Sequence, residues 1–158
     1  MLEINNLTKT FANGTPALKG VNLKINKGEF VSILGRSGSG KTTLLRSING
    51  LETASGGEIY LDNKQVNLET INEVQNKTGM IFQEFNLVNN LSAINNVLTG
   101  LLSSSNKFLS LFYLFSKDQK IDALKSLETV GLLEKSYNRS DELSGGQRQR
   151  VGIARAII

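Results

Sequence analysis

The chain has 158 residues, 39% of them hydrophobic and 20% charged, with no cysteine and no histidine. That excludes disulfides, thiolate or imidazole metal sites and histidine acid–base catalysis within these residues. By length it reads as one domain, and the net charge of +4 is scattered rather than concentrated on a run, unlike a nucleic-acid binder.

No stretch approaches the roughly 18 apolar residues of a membrane span. The longest apolar cluster, Phe108 to Phe115, is short and contains Ser110. The start, Met1-Leu2-Glu3-Ile4-Asn5-Asn6, lacks the basic-then-apolar layout of a signal peptide.

In chain order, Leu2, Ile4 and Leu7 begin a strand, Asn13-Gly14 is a turn, and Val21, Leu23 and Ile25 alternate with polar residues as a second strand. Asn26-Lys27-Gly28 turns again. Phe30-Val31-Ser32-Ile33-Leu34 is nearly all apolar, the pattern of a parallel strand buried on both faces. A helix follows with Leu44, Leu45 and Ile48 on one side, stopped by Gly50. Glu58 to Leu61 and Met80-Ile81-Phe82 read as further strands.

Beyond Leu91 the pattern becomes helical. Ser92 caps a helix reaching Leu102, and Ser103-Ser104-Ser105-Asn106 breaks it. Ser116 and Gln119 form a capping box before the stripe Ile121, Leu124, Leu127, Val130, which Gly131 ends. A last helix starts near Ser144 with Val151, Ala154 and Ile158 on one side. Arg148, Arg150 and Arg155 beside it read as a solvated or phosphate-facing helix start.

Two loops carry chemistry. Gly35-Arg36-Ser37-Gly38-Ser39-Gly40-Lys41-Thr42, followed by Thr43, has the G-x-x-x-x-G-K-T spacing between a strand and a helix. Glycines let successive backbone N–H groups converge on an anion, and the helix N-terminus adds its positive dipole end. Lys41 can reach β- and γ-phosphates, and the Thr42 hydroxyl can ligate Mg²⁺. These residues predict a nucleoside triphosphate site. Leu143-Ser144-Gly145-Gly146-Gln147 also precedes a helix, so it too can present amides and a hydroxyl to an anion, although alone it equally describes a simple N-cap.

With both loops present, the chain resembles the ATP-binding subunit of ABC transporters over nearly its whole length. The resemblance implies an α/β P-loop NTPase fold with an antiparallel β-subdomain and a helical subdomain. It divides one incomplete ATP-binding domain into residues 1–82, the β-subdomain with part of the P-loop core; 83–142, the Q-loop and helical subdomain; and 143–158, the signature motif and its helix. It implies that Ser144, Gly145, Gly146 and Gln147 act in trans on ATP held by a second copy, in a head-to-tail homodimer with two ATP at the interface. It makes Phe11 the aromatic that stacks on adenine. It makes Gln83 the Q-loop glutamine that senses Mg²⁺ and the attacking water. Membrane permease subunits and a separate substrate-binding protein are the implied partners, at the cytoplasmic face of the membrane.

Phe82-Gln83-Glu84-Phe85-Asn86-Leu87-Val88 and the segment Val97 to Phe115, above all Lys107-Phe108-Leu109-Ser110-Leu111-Phe112, are similar to phosphonate-import ATPases. A phosphate or amino-acid importer, a soluble ABC ATPase of translation or DNA repair, and an inert remnant are the competing readings.

In this family hydrolysis also needs an apolar strand ending in Asp, then a catalytic Glu and a later histidine, and these do not occur up to Ile158. Ile59-Tyr60-Leu61-Asp62 is a decoy, followed by Asn63, and the resemblance places it in the β-subdomain. Asp141-Glu142 reads as helix-start charge. The 158 residues are therefore expected to be the front part of a longer protein, to hydrolyse no ATP alone, and to be marginally stable because Phe30 to Leu34 lacks neighbouring strands.

Overall fold

The computed structural model describes residues 1–102 and 115–158, so Ser103 to Asn106, Lys107 to Phe112 and most of the Phe108–Phe115 cluster lie outside the described residues. The chain forms two compact units, Met1–Thr78 and Gly79–Ile158.

The first unit is built on four antiparallel strands in the order β2-β1-β3-β4: β1 (Leu2–Thr10), β2 (Pro16–Ile25), β3 (Gly56–Leu61) and β4 (Lys64–Gln65). β1 pairs with β2 from Leu2 opposite Ile25 to Thr10 opposite Pro16, with irregularities around Asn6. There Asn6 is left-handed and its amide donates to Asn22 Oδ1 at 2.8 Å. Alternation alone would set Ile4 and Leu7 on opposite faces, but the register shift between them brings both to one side, where with Leu18 and Ile59 they meet Leu44 of helix α1 (Lys41–Ile48). Two features went unread in the sequence. Asp62 and Asn63, both at positive φ, close a two-residue hairpin into β4, as mirror-image turns require. A short helix α2 (Ile71–Lys77) follows, burying Val74.

The second unit is helical. α3 (Ala93–Leu98), α4 (Lys117–Thr129) and α5 (Gly145–Ile157) share a core of Ala93, Ile94, Val97, Leu98, Ala123, Leu127, Val151 and Ala154. All three helices start on a serine whose hydroxyl accepts an amide from the first turn: Ser92 from Asn95, Ser116 from Gln119, Ser144 from Gln147.

The fold class agrees with the sequence, but four local expectations need correction. Phe30 to Leu34 is not a strand. Its backbone is irregular; Ile33 packs against the core of this unit, but the other side chains face solvent, Phe30 at 96% and Leu34 at 89% exposure. A strand needs a hydrogen-bonded neighbour, and among the described residues none runs beside it. Met80-Ile81-Phe82 fails for the same reason, with Ile81 half exposed. The helix capped by Ser92 is α-helical only to Leu98 and ends in a tighter turn, Thr99–Leu101. In α4 the buried face is Ala123, Ser126 and Leu127; Ile121 is exposed, and Leu124 and Val130 only flank the core.

Candidate nucleotide site and signature helix

Residues 35–40 lead into α1 through a turn closed by the Ser39 amide on the Arg36 carbonyl, 3.2 Å. Gly40 sits at φ 91°, and a Cβ there would collide with the Ala17 carbonyl of β2, so only glycine lets the loop lie against the sheet. Gly40 is also the N-cap, and no side chain caps α1. The first-turn amides therefore face outward without a side-chain acceptor, at the positive end of the helix, and can receive an anion.

The Lys41 ammonium donates to the Gly35 and Arg36 carbonyls at 2.7 and 2.8 Å and to Ser39 Oγ at 3.4 Å. Among the described residues only neutral groups of its own loop hold it, and no carboxylate pairs with it. The charge is free to meet phosphate. Arg36, Ser37, Gly38, Ser39 and Thr42 are exposed and Thr43 is half-buried, so the Thr42 hydroxyl is open to a metal ion. This donor set fits a magnesium polyphosphate.

Phe11 lies in the β1–β2 connection, exposed, its amide on the Thr15 carbonyl at 2.9 Å and its own carbonyl accepting from Gly14 at 2.8 Å. Its ring already faces a cation: Lys9 Nζ is 5.4 Å from the centroid. Lys9 is itself fixed by Glu52 and the Thr53 carbonyl, each at 2.6 Å. A cavity of about 250 Å³ in this unit is lined by Leu7, Ser47, Ile59, Val66 and Ile71. None of residues 35–43 lines it, so it is separate from the phosphate loop. Asp62 is a hairpin residue: the Met1 amino group bonds it at 2.6 Å and holds its carboxyl below the usual range. It stands next to β3, an antiparallel strand, and not at the end of a parallel strand where a magnesium-ligating Asp is expected.

In the second unit Gln83 is exposed in a turn closed by the Phe85 amide on the Phe82 carbonyl, 3.1 Å. Phe85 and Asn86 then take left-handed conformations, φ 59° and 47°. At α5 the Ser144–Gln147 capping box is complete: Ser144 Oγ accepts from the Gln147 amide at 3.3 Å, and Gln147 Oε1 accepts from the Ser144 amide at 2.9 Å. The box leaves the Gly145 and Gly146 amides without intrahelical partners. Both glycines are exposed, with open space where a Cβ would stand.

The arginine group differs from the sequence expectation. These side chains bond to the unit's own backbone and loops, Arg148 and Arg155 half-buried and Arg150 still exposed. Arg148 donates to Asn89 Oδ1 at 2.7 Å, Arg150 to the Val130 carbonyl at the end of α4 at 3.2 Å, and Arg155 to the Phe85 and Asn86 carbonyls, both at 2.7 Å. Orphan carbonyls at helix ends and left-handed turns attract guanidinium donors more strongly than water does when the site is half enclosed. Burial lowers the Arg155 pKa from its ordinary value, while the group stays cationic.

Asn96 is the other residue that went unread. Fully buried in α3, it accepts from the Val88 amide (2.8 Å) and donates to the Val88, Leu91 and Ser92 carbonyls and to Ser140 Oγ (2.8 Å). A polar residue inside the run Ile94 to Leu98 was the available signal.

Known proteins match the chain over nearly its whole length. The family model described as ABC transporter matches residues 18–158. A phosphonates import ATP-binding protein of Thiobacillus denitrificans is 47% identical over 156 residues, covering 99% of this chain and 60% of that protein. One of Lactobacillus acidophilus is 47% identical over 161 residues, covering 100% and 63%. The chain thus spans under two thirds of the length of these relatives. Among solved structures, a dimeric bacterial ABC transporter cassette superposes with a TM-score of 0.82 at 37% identity, over 99% of this chain and 69% of that one. A dimeric post-hydrolysis cassette bound to ADP and Pi gives 0.83 at 37% identity, with the same coverage. The phosphate loop on α1, the serine-glycine start of α5 and these matches lead to one conclusion: the chain belongs to the ABC transporter family.

Proposed function

We propose that this chain is the nucleotide-holding part of an ABC importer ATPase that couples ATP binding and hydrolysis to uptake of phosphonate-type compounds. The observation that carries the reading is the uncapped start of α1, with the Lys41 ammonium held, among the described residues, by two loop carbonyls and the Ser39 hydroxyl, in a chain 47% identical to phosphonates import ATP-binding proteins.

In this reading residues 35–40 supply backbone donors to the phosphates, Lys41 exchanges its loop carbonyls for phosphate oxygens, and Thr42 offers its hydroxyl to Mg²⁺. Bound Mg²⁺ would offset phosphate charge. Phe11 gives its exposed ring face to the base. Gln83 reports on the metal and the attacking water. Ser144, Gly145, Gly146 and Gln147 present the α5 start to the γ-phosphate bound by a second copy, as a head-to-tail dimer requires. Permease subunits, a separate substrate-binding protein and a place at the inner membrane surface belong to the same proposal. The division into residues 1–82, 83–142 and 143–158 is kept as the proposed functional partition. Among the described residues no helix is long and apolar enough to cross a membrane.

Isothermal titration of Mg-ATP tests the nucleotide site. Lys41→Ala is expected to weaken binding by about tenfold or more, from loss of charge-assisted contacts. Unchanged binding, or none by the parent chain at millimolar nucleotide, overturns the reading. Residues 1–158 alone are expected to show no Lys41-dependent ATP turnover above background; turnover abolished by Lys41→Ala contradicts that part. For the transported ligand, a strain lacking its phosphonate ATPase should regain growth on methylphosphonate when given the whole protein. Growth restored only for phosphate or amino-acid uptake would favour the rival importers.

A further inference from the structure

We propose that Arg155 is a positioning residue for Gln83: from the far part of α5 it clamps the Phe85 and Asn86 carbonyls and so fixes the turn that carries the glutamine. This inference rests on the reading of Gln83 as the glutamine that responds to magnesium and nucleotide.

The turn needs an external hold. Phe85 is a bulky residue at φ 59° and Asn86 follows at φ 47°, a pair of left-handed residues that L side chains rarely adopt in succession. Local bonds are few: the Phe85 amide reaches the Phe82 carbonyl at 3.1 Å and the Asn86 amide reaches Glu84. The two carbonyls that this geometry turns outward are the two that Arg155 takes, through separate guanidinium nitrogens, each at 2.7 Å. A planar fork satisfies two acceptors at once, as a lysine ammonium does not. Among the described residues no carboxylate pairs with Arg155, so the half-buried charge is balanced by backbone dipoles of this turn.

One face of α5 adjoins this segment. Arg148, Gly152 and Arg155 stand at i, i+4 and i+7, one side of α5. Arg148 holds Asn89 Oδ1 at 2.7 Å, Arg155 holds residues 85 and 86, and between them a Cβ on Gly152 would come within 3.9 Å of the Phe85 carbonyl. Asn96 secures the following residues by its paired bonds to Val88. The segment after Gln83 therefore lies along the same helix whose other end bears Ser144 and Gly145. A displacement of α5 must carry the Gln83 turn with it.

The test compares Arg155→Lys in the whole protein with and without Gln83→Ala. The lysine variant is expected to fold, to speed amide exchange at Phe85 and Asn86 by about tenfold or more, and to leave exchange in β1 and β3 unchanged. Its kcat for ATP is expected to fall about tenfold with KM changed less than about twofold, and the fall should vanish in the Gln83→Ala background. Equal loss in both backgrounds, or unchanged exchange at 85 and 86, overturns the proposal. Should Arg155→Lys fail to fold, Arg155→Gln, which keeps an amide donor but loses the two-pronged fork, should give the same Gln83-dependent loss, and a Gln83-independent loss sinks the idea. If Gln83→Ala alone leaves kcat unchanged, it is the reading of Gln83 that fails, and the exchange measurement still decides whether Arg155 holds the turn.

Discussion

Gly40 and Lys41 show how much one position settles. The loop lies against β2 because residue 40 has no Cβ and takes φ 91°, which brings the α1 amides to the surface uncapped. Gly40→Ala should cost about 2 kcal/mol of stability through left-handed strain and the Ala17 clash, and should weaken Mg-ATP binding in the same titration. Thermal melts that match the parent would show that the loop has another resting place. Asn96 is the polar counterpart. Asn96→Leu removes partners from the Val88 amide and carbonyl and from Ser140 Oγ. Stranding buried polar groups of that kind costs about 3 kcal/mol in urea unfolding. A loss below about 0.5 kcal/mol would mean that water replaces the amide.

At the scale of elements, capping chemistry was legible because it is local. Ser92, Ser116 and Ser144 each find their acceptor role within three residues, and the spacing alone says so. The hairpin at Asp62-Asn63 is also local, yet its signal is weaker than Asn-Gly. The Asn26–Glu29 turn after β2 gives a pH prediction. Hydrogen bonds from the Asn26 side chain and then from its backbone amide hold the Glu29 carboxyl below the usual glutamate range. A depressed acid contributes order at neutral pH that is lost as pH falls through its folded value. Carboxyl carbon NMR should therefore place the Glu29 midpoint below that of an unstructured glutamate, and Asn26→Ala should raise it. An unshifted midpoint would deny the turn in solution.

For the molecule as a whole, the exposed apolar residues predict self-association in solution. Phe30, Val31, Leu34 and Ile81 face water on backbone that pairs with no strand among the described residues. Such segments recruit other chains. Phe30→Lys with Leu34→Lys should lower self-association in light scattering while leaving the melting of the β-sheet unit within about 0.5 kcal/mol, as surface changes do. Unaltered association would place the sticky surface elsewhere.

By itself the sequence determined the glycine-rich loop before α1, the serine-capped helix starts and the family, because each depends on residue types at short fixed spacings. Only the tertiary structure decided the fate of Phe30 to Leu34, since a strand exists by virtue of a partner and apolar composition cannot supply one. It likewise decided what Arg148, Arg155 and Asn96 do. Their acceptors lie 59, 69 and 70 positions away for the two arginines, and up to 44 for the asparagine, beyond the reach of any periodic pattern. Long side chains bond to whatever carbonyls the fold brings near, and that is fixed by packing alone.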